Sequence, residues 1–120
     1  MPIVFVTIDR ECPSLSTETQ VINLGRHLQH IVAEALTCDE SPLTASDVEV
    51  EIKDRDAWRS IGGGKYELRI IVIATRTKSR ETDLSMAAYR IAQSIRCYVP
   101  SSGNGYVWVQ LPSASFAPFR

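Results

Sequence analysis

Hydrophobic and polar positions divide the chain into two similar halves. In the first half, residues 3–8 are almost all β-branched or aromatic, which predicts a strand covered on both faces. Apolar residues then recur at helical spacing from Val21 to Leu36, and Thr17 with Gln20 predicts a capping box at the start of this helix. Residues 47–52 alternate between polar and apolar, which predicts a strand with one wet face.

The second half repeats this order. Residues 66–75 form another long apolar run, which predicts a second covered strand. Ser79 is the predicted N-cap of a second helix, whose apolar stripe runs from Leu84 to Tyr98. A turn cluster follows, and residues 106–111 alternate as a strand should.

The element order predicts an α/β fold of the two-layer α+β kind, in one domain that spans residues 1–120. Two β-α-β repeats, at about 2–52 and about 66–111, form a four-stranded mixed sheet with both helices on one face, and residues 112–120 form a C-terminal tail. The repeats either lie side by side about a pseudo-twofold axis or interleave as in a ferredoxin-like sheet, and periodicity does not separate these architectures. The other face of the sheet needs cover, which we expect from a homo-oligomer.

Composition and charge narrow the classes of function. Thirteen basic and fourteen acidic side chains give a net charge of −1, so we expect neither nucleic acid nor an anionic membrane as a partner. Cys12, Cys38 and Cys97 are an odd number without Cys-x-x-Cys spacing, which argues against a disulfide framework and against a zinc site. No apolar run reaches the roughly 18 residues of a membrane span, and no signal peptide is recognisable. We therefore predict a cytoplasmic protein without a metal.

Two stretches hold candidate chemistry. Pro2 directly follows Met1, so that removal of Met1 would leave a secondary amine at the start of a packed strand. Such an amine could act as a general base. Arg76, Lys78 and Arg80 cluster where the third strand ends and a helix begins, and cations of this kind can bind a carboxylate. The helix dipole at that point also favours an anion. A solvated loop with surface charges is the alternative interpretation of the three cations.

Other motifs are less informative. The glycine run at residues 62–64 favours a hinge over a phosphate-binding loop, because a strand rather than a helix follows it. His27 and His30 lie on the first helix without a matching carboxylate pattern, and we predict that both are at the surface.

Several short stretches resemble the tautomerase superfamily. They are Met-Pro-Ile-Val at the start of a strand, Pro42-Leu43-Thr44 leading into Val48-Glu49-Val50, and Arg76-Thr77-Lys78-Ser79-Arg80-Glu81 between a strand and a helix. The segment from Asp56-Ala57-Trp58 to Gly64-Lys65-Tyr66 is most similar to the 5-carboxymethyl-2-hydroxymuconate isomerase branch.

The resemblance implies a cofactor-independent isomerase. Family members use an amino-terminal proline as general acid and base, and the longer members are trimers, so Pro2 becomes the expected catalytic residue and a homotrimer the expected assembly. The implied substrate is a small unsaturated 2-oxo or 2-hydroxydienoate carboxylic acid. Arg76 and Lys78 match basic residues of the decarboxylase branch, and Arg80 is the substrate-binding candidate in the isomerase register. Trp58 is either an apolar wall near Pro2 or a tryptophan of the core or of a subunit contact.

Two departures from the family pattern leave an alternative open. Glu49 stands where several tautomerases have an arginine in the second strand, and Arg10 matches the arginine of the first loop only loosely. Glu49 is either a second acid or a solvent-facing residue. The alternative function is a non-catalytic, ferredoxin-like module for small-ligand binding or oligomerisation, which retention of Met1 would favour because the Pro2 nitrogen would then be an amide.

Overall fold

A computed structural model describes residues 2–9, 17–55, 68–98 and 105–112 of the chain. These residues form four strands, three α-helices and one short 3-10 turn, Ala45–Asp47. The elements are, in chain order, β1 (Ile3–Asp9), α1 (Glu18–Leu36), β2 (Glu49–Arg55), β3 (Leu68–Ile73), α2 (Lys78–Thr82), α3 (Leu84–Tyr98) and β4 (Gly105–Gln110).

The sheet has the strand order β2-β1-β3-β4. The two strands of each β-α-β repeat are parallel neighbours, whereas β1 and β3 meet antiparallel at the centre. The repeats therefore lie side by side about a pseudo-twofold axis and do not interleave as in a ferredoxin-like sheet. The predicted two-layer fold with a four-stranded mixed sheet is confirmed.

The core lies between the helices and one face of the sheet. Alternate residues of β1 and β3 point into it, as the pleat of a strand requires, and the apolar stripes of α1 and α3 cover them. The fully buried side chains of this core include Val4, Val6, Leu24, Leu28, Val32, Leu36, Ile70, Val72 and Ile91.

The opposite face of the sheet carries apolar side chains that no described helix covers. Phe5 of β1, Ile71 of β3 and Trp108 of β4 are in register across three strands. Trp108 is 60% exposed and Phe5 is 37% exposed. We call this row of three residues the open-face row.

The predicted start of α1 is confirmed in detail. Thr17 is the N-cap, its hydroxyl oxygen accepts a hydrogen bond from the Gln20 N–H at 3.2 Å, and the Gln20 side chain accepts one from the Thr17 N–H at 3.0 Å. Both bonds satisfy N–H groups that have no partner within the helix.

The predicted N-cap of the second helix is wrong. Thr77, not Ser79, caps it, because the Thr77 hydroxyl accepts a hydrogen bond from the Arg80 N–H at 3.1 Å. The helix also consists of two segments, α2 and α3, which are separated at Asp83. The predicted apolar stripe begins at Leu84, the first residue of α3, and α2 contains no apolar residue, so the pattern of hydrophobic residues predicts only the second segment.

His27 is the second correction. It is half-buried, its ring stacks on that of Tyr98 with centroids 4.6 Å apart, and its Nε2 lies 3.1 Å from the Ser94 hydroxyl oxygen. His27 therefore links α1 to the end of α3, whereas His30 is exposed as predicted. Within the described ranges, no helix is both long enough and apolar enough to cross a membrane.

Candidate active site

Pro2 lies at the start of the central strand β1 and is completely buried. Its carbonyl oxygen accepts a hydrogen bond from the Glu49 N–H at 3.1 Å, which ties it to the beginning of β2. The residue is therefore fixed in place by the sheet.

The pairing of β1 with β3 brings the two predicted parts of the site to the same edge of the sheet. Ile3, the first residue of β1, pairs with Ile73, the last residue of β3. Continuing this antiparallel register by one residue sets Pro2 opposite Ala74, from which the chain runs directly to Arg76. We call this end of the sheet the Pro2 edge.

Arg76 lies at the Pro2 edge with about half of its side chain exposed. Its Nε donates a hydrogen bond to the Leu111 carbonyl oxygen at 2.8 Å, and Glu81 Oε1 lies 3.2 Å from the same nitrogen. Within the described part of the chain, neither terminal nitrogen of Arg76 has a hydrogen bond. The edge of the guanidinium that can bind a carboxylate in bidentate fashion is thus available.

Arg80 has a different environment, since it is only 4% exposed. Its guanidinium donates to the Leu36 carbonyl at 2.9 Å, to the Ser41 carbonyl at 3.3 Å, and to the Thr75 carbonyl and hydroxyl oxygens at 2.9 and 2.7 Å. These bonds join the end of α1, the loop after it and the exit of β3. The nitrogen atoms of Arg80 are therefore occupied by oxygen atoms of the protein itself.

Lys78 is exposed at the first position of α2. The anion at this helix start is supplied by the protein: Glu40 accepts hydrogen bonds from the Ser79 hydroxyl and from the Ser79 N–H, the latter at 3.3 Å. These hydrogen bonds hold the pKa of the Glu40 carboxyl below its usual value. The sequence predicted that the dipole of this helix would favour a bound anion, and in the structure the carboxylate of Glu40 is the anion at that position.

Glu49 and Trp58 are the two remaining candidate residues from the sequence. Glu49 is exposed at the start of β2, next to Pro2 in the sheet. Trp58 and the glycine run at residues 62–64 lie outside the described residues, as do residues 113–120 of the tail. Sequence reasoning missed Glu40, whose contact with Ser79 spans 39 positions and leaves no local signal.

A separate cavity of about 290 Å³ lies between α1 and α3. None of the site residues predicted from the sequence lines this cavity. Its lining residues are Ile31, Glu34, Ala35, Arg90 and Ser94. Among the described residues, no group of three or more His, Cys, Asp or Glu side chains is arranged to hold a metal ion.

The arrangement of elements is found in several solved structures. A fused 4-OT wild-type asymmetric trimer is 14% identical in sequence with a TM-score of 0.65, and the match covers 92% of this chain and 85% of that one. Malonate semialdehyde decarboxylase is also 14% identical, with a TM-score of 0.62 over 98% and 92% of the two chains. A member of the cis-3-chloroacrylic acid dehalogenase family is 18% identical, with a TM-score of 0.55 over 91% and 72%.

The chain has the tautomerase fold. No protein-family model and no curated protein matches the sequence. The likeness to the solved tautomerase-superfamily structures therefore rests on the course of the backbone, and the roles of individual residues have to be argued from the geometry of this chain.

Proposed function

We propose that this chain is a tautomerase that uses Pro2 as general acid and base on a small unsaturated 2-oxo or 2-hydroxydienoate carboxylic acid. The observation that carries the proposal is the register of the two central strands, in which Ile3 pairs with Ile73. It supports a site in which a buried amino-terminal proline faces the segment that holds Arg76 and Lys78.

The proton carrier in this proposal is the Pro2 nitrogen, after removal of Met1. Burial disfavours the protonated form of an amine, because the charge loses its hydration. A neutral amine can take a proton from the carbon next to a carbonyl and return it elsewhere on the conjugated system. The hydrogen bond from Glu49 to the Pro2 carbonyl keeps the nitrogen at a fixed position for both transfers.

The substrate carboxylate is assigned to Arg76 and Lys78. The terminal nitrogens of Arg76 suit bidentate binding, and Lys78 adds a mobile positive charge. Both cations also stabilise the enolate that forms as the proton leaves. The four hydrogen bonds of Arg80 to protein oxygens support a preference for Arg76 and Lys78 over Arg80 as substrate ligands. Trp58 remains the proposed apolar wall.

We further propose that three copies of the chain assemble through the open face of the sheet. The open-face row of Phe5, Ile71 and Trp108 supplies exposed apolar surface that another subunit can bury. Two of the similar solved structures are described as trimers of fused 4-OT.

The proposed reaction uses no cofactor, because the amine itself moves the proton. Cys38 and Cys97 are free thiols, which supports the cytoplasmic location that we infer.

The test combines intact mass with kinetics. Mass spectrometry of the protein from its native host should show the loss of Met1, and the processed protein should ketonise phenylenolpyruvate or 2-hydroxymuconate. Pro2→Ala should lower kcat/KM by about 100-fold or more, as expected for loss of a general acid and base, with an unchanged circular dichroism spectrum. Arg76→Ala should raise KM or lower kcat for the same substrates.

Two outcomes would reject the proposal. Equal rates for the wild type and Pro2→Ala would remove Pro2 from the mechanism. Quantitative retention of Met1 in the native host would leave an amide nitrogen at Pro2, and a non-catalytic ligand-binding or oligomerisation module would then be the better explanation.

A further inference from the structure

Exposed carboxylates lie at the same edge of the sheet as the two cations assigned to the substrate. Arg76 and Lys78 are exposed at the Pro2 edge, together with exposed carboxylates that include Glu40, Glu49 and Glu81. The positive charge available to an incoming anion is therefore limited. One substrate carboxylate can be balanced here, whereas a second one would meet like charge.

Glu81 is the carboxylate that acts most directly on Arg76. Its Oε1 lies 3.2 Å from Arg76 Nε, and both side chains are about half exposed. The single N–H of this nitrogen donates to the Leu111 carbonyl at 2.8 Å. Leu111 and Glu81 thus hold the Nε side of the guanidinium and leave the terminal nitrogens for a ligand.

Glu81 lies in the first turn of α2. Its N–H donates to the Thr77 carbonyl oxygen at 3.0 Å, within the first turn of the helix. Arg76 lies just before that helix, so the two residues share a short and well-anchored segment. By contrast, Glu40 is directed at Ser79 and does not touch Arg76.

We propose that Glu81 is a specificity-determining residue, which partly neutralises Arg76 and so restricts the site to substrates with one carboxylate. The inference rests on the proposed function, because it assigns a substrate class to the same site. Glu81 acts through Arg76 in two ways: it orients the guanidinium, and its charge repels a second carboxylate on the substrate.

The experiment compares an enol with one carboxylate, phenylenolpyruvate, and one with two, 2-hydroxymuconate. For each, kcat/KM is measured at low salt for the wild type, Glu81→Gln and Glu18→Gln. Glu18→Gln is the matched control, because it removes the same charge from the exposed first turn of α1, at the far end of the molecule from the Pro2 edge.

In Glu81→Gln, the ratio of kcat/KM for the dicarboxylate to that for the monocarboxylate should rise about three- to tenfold, as expected for removal of one nearby unit charge at a protein surface. Salt at about 0.5 M should shrink this rise, since it screens exposed charges. Glu81→Asp should keep the wild-type ratio. Glu18→Gln should also leave the ratio unchanged.

The outcomes separate this inference from the function on which it rests. If the wild type ketonises phenylenolpyruvate but Glu81→Gln leaves the ratio unchanged, the role of Glu81 is refuted and the tautomerase proposal stands. An equal rise in Glu18→Gln would likewise refute it, because net charge rather than position would then be responsible. If protein that has lost Met1 converts neither enol, the proposed function fails and this inference fails with it.

Discussion

Replacing Arg80 with methionine should strongly lower the free energy of unfolding of the protein. The guanidinium is buried and donates hydrogen bonds to Leu36, Ser41 and Thr75. Methionine keeps an unbranched side chain but has no donor, so three carbonyl oxygens and one hydroxyl lose their partner. The connection that this side chain makes between the loop after α1 and the exit of β3 is also lost.

The size of the effect follows from the four hydrogen bonds. A hydrogen bond contributes about 0.5–1.5 kcal/mol net, and more when one partner is charged. The guanidinium regains hydration on unfolding, which offsets part of that contribution. We therefore expect Arg80→Met to lower the free energy of unfolding by about 3–5 kcal/mol. This is a large fraction of the roughly 5–15 kcal/mol that stabilises a typical domain.

The assay is urea unfolding at neutral pH, followed by circular dichroism at one protein concentration, because the proposed trimerisation would make stability depend on concentration. The midpoint should fall without a change in the slope, and the melting temperature should fall by roughly 10–20 °C. Arg80→Lys is the control: it keeps the charge but not the planar fork of donors, so its stability should lie between those of Arg80→Met and the wild type.

A loss of less than about 1 kcal/mol in Arg80→Met would refute this reasoning, since it would place Arg80 among ordinary surface residues. The variants also test the role of Arg80 in binding. At a temperature at which Arg80→Lys is fully folded, an unchanged KM would assign Arg80 to the framework, whereas a large rise in KM at full stability would return it to the list of substrate ligands.

Three further predictions concern other parts of the structure. The Ser79 hydrogen bonds lower the pKa of Glu40 from 4.5, so the stability they provide is present above pH 4.5 and is lost as the pH falls through the lowered pKa. In acid titrations of unfolding, the wild type should therefore lose its advantage over Glu40→Gln as the pH falls below 4.5. Gly105→Ala should lower the free energy of unfolding by about 1–3 kcal/mol in urea titrations, because its Cβ would collide with the backbone of β3, and a stability equal to wild type would contradict this. Trp108→Glu should dissociate the proposed trimer in analytical ultracentrifugation, whereas Tyr89→Glu on the exposed side of α3 should not.

Local features of the fold were predictable from the sequence. The capping box of Thr17 and Gln20 needs only residues three positions apart, and the structure contains it as predicted. The strand β1 and the apolar stripe of α1 were predictable because side chains repeat every two residues along a strand and every 3.6 residues along a helix. The alternation of polar and apolar residues at 47–52 and 106–111 likewise predicted strands with one face towards the core and one towards solvent.

Features that depend on distant residues were not predictable. Ser79 and Thr77 are equally suitable as N-caps by residue type, but the hydroxyl of Ser79 is engaged by Glu40, which lies 39 positions earlier. Arg80 is indistinguishable in sequence from its exposed neighbours Arg76 and Lys78. Only the folded chain brings the carbonyl oxygens of Leu36 and Ser41, which lie 44 and 39 positions earlier, to its guanidinium. The sheet order that brings Pro2 to the same edge likewise depends on long-range pairing.

The central position of β1 has a consequence for the synthesis of the protein. β1 leaves the ribosome before the other three described strands, yet its two hydrogen-bonding edges pair with β2 and β3, which are made later. The β1-α1-β2 repeat can form as soon as β2 is complete, but the other edge of β1 then stays unpaired until residues 68–73 emerge. An unpaired apolar strand of this kind is a template for association with other chains. The nascent first repeat therefore exposes a strand edge at which aggregation can start.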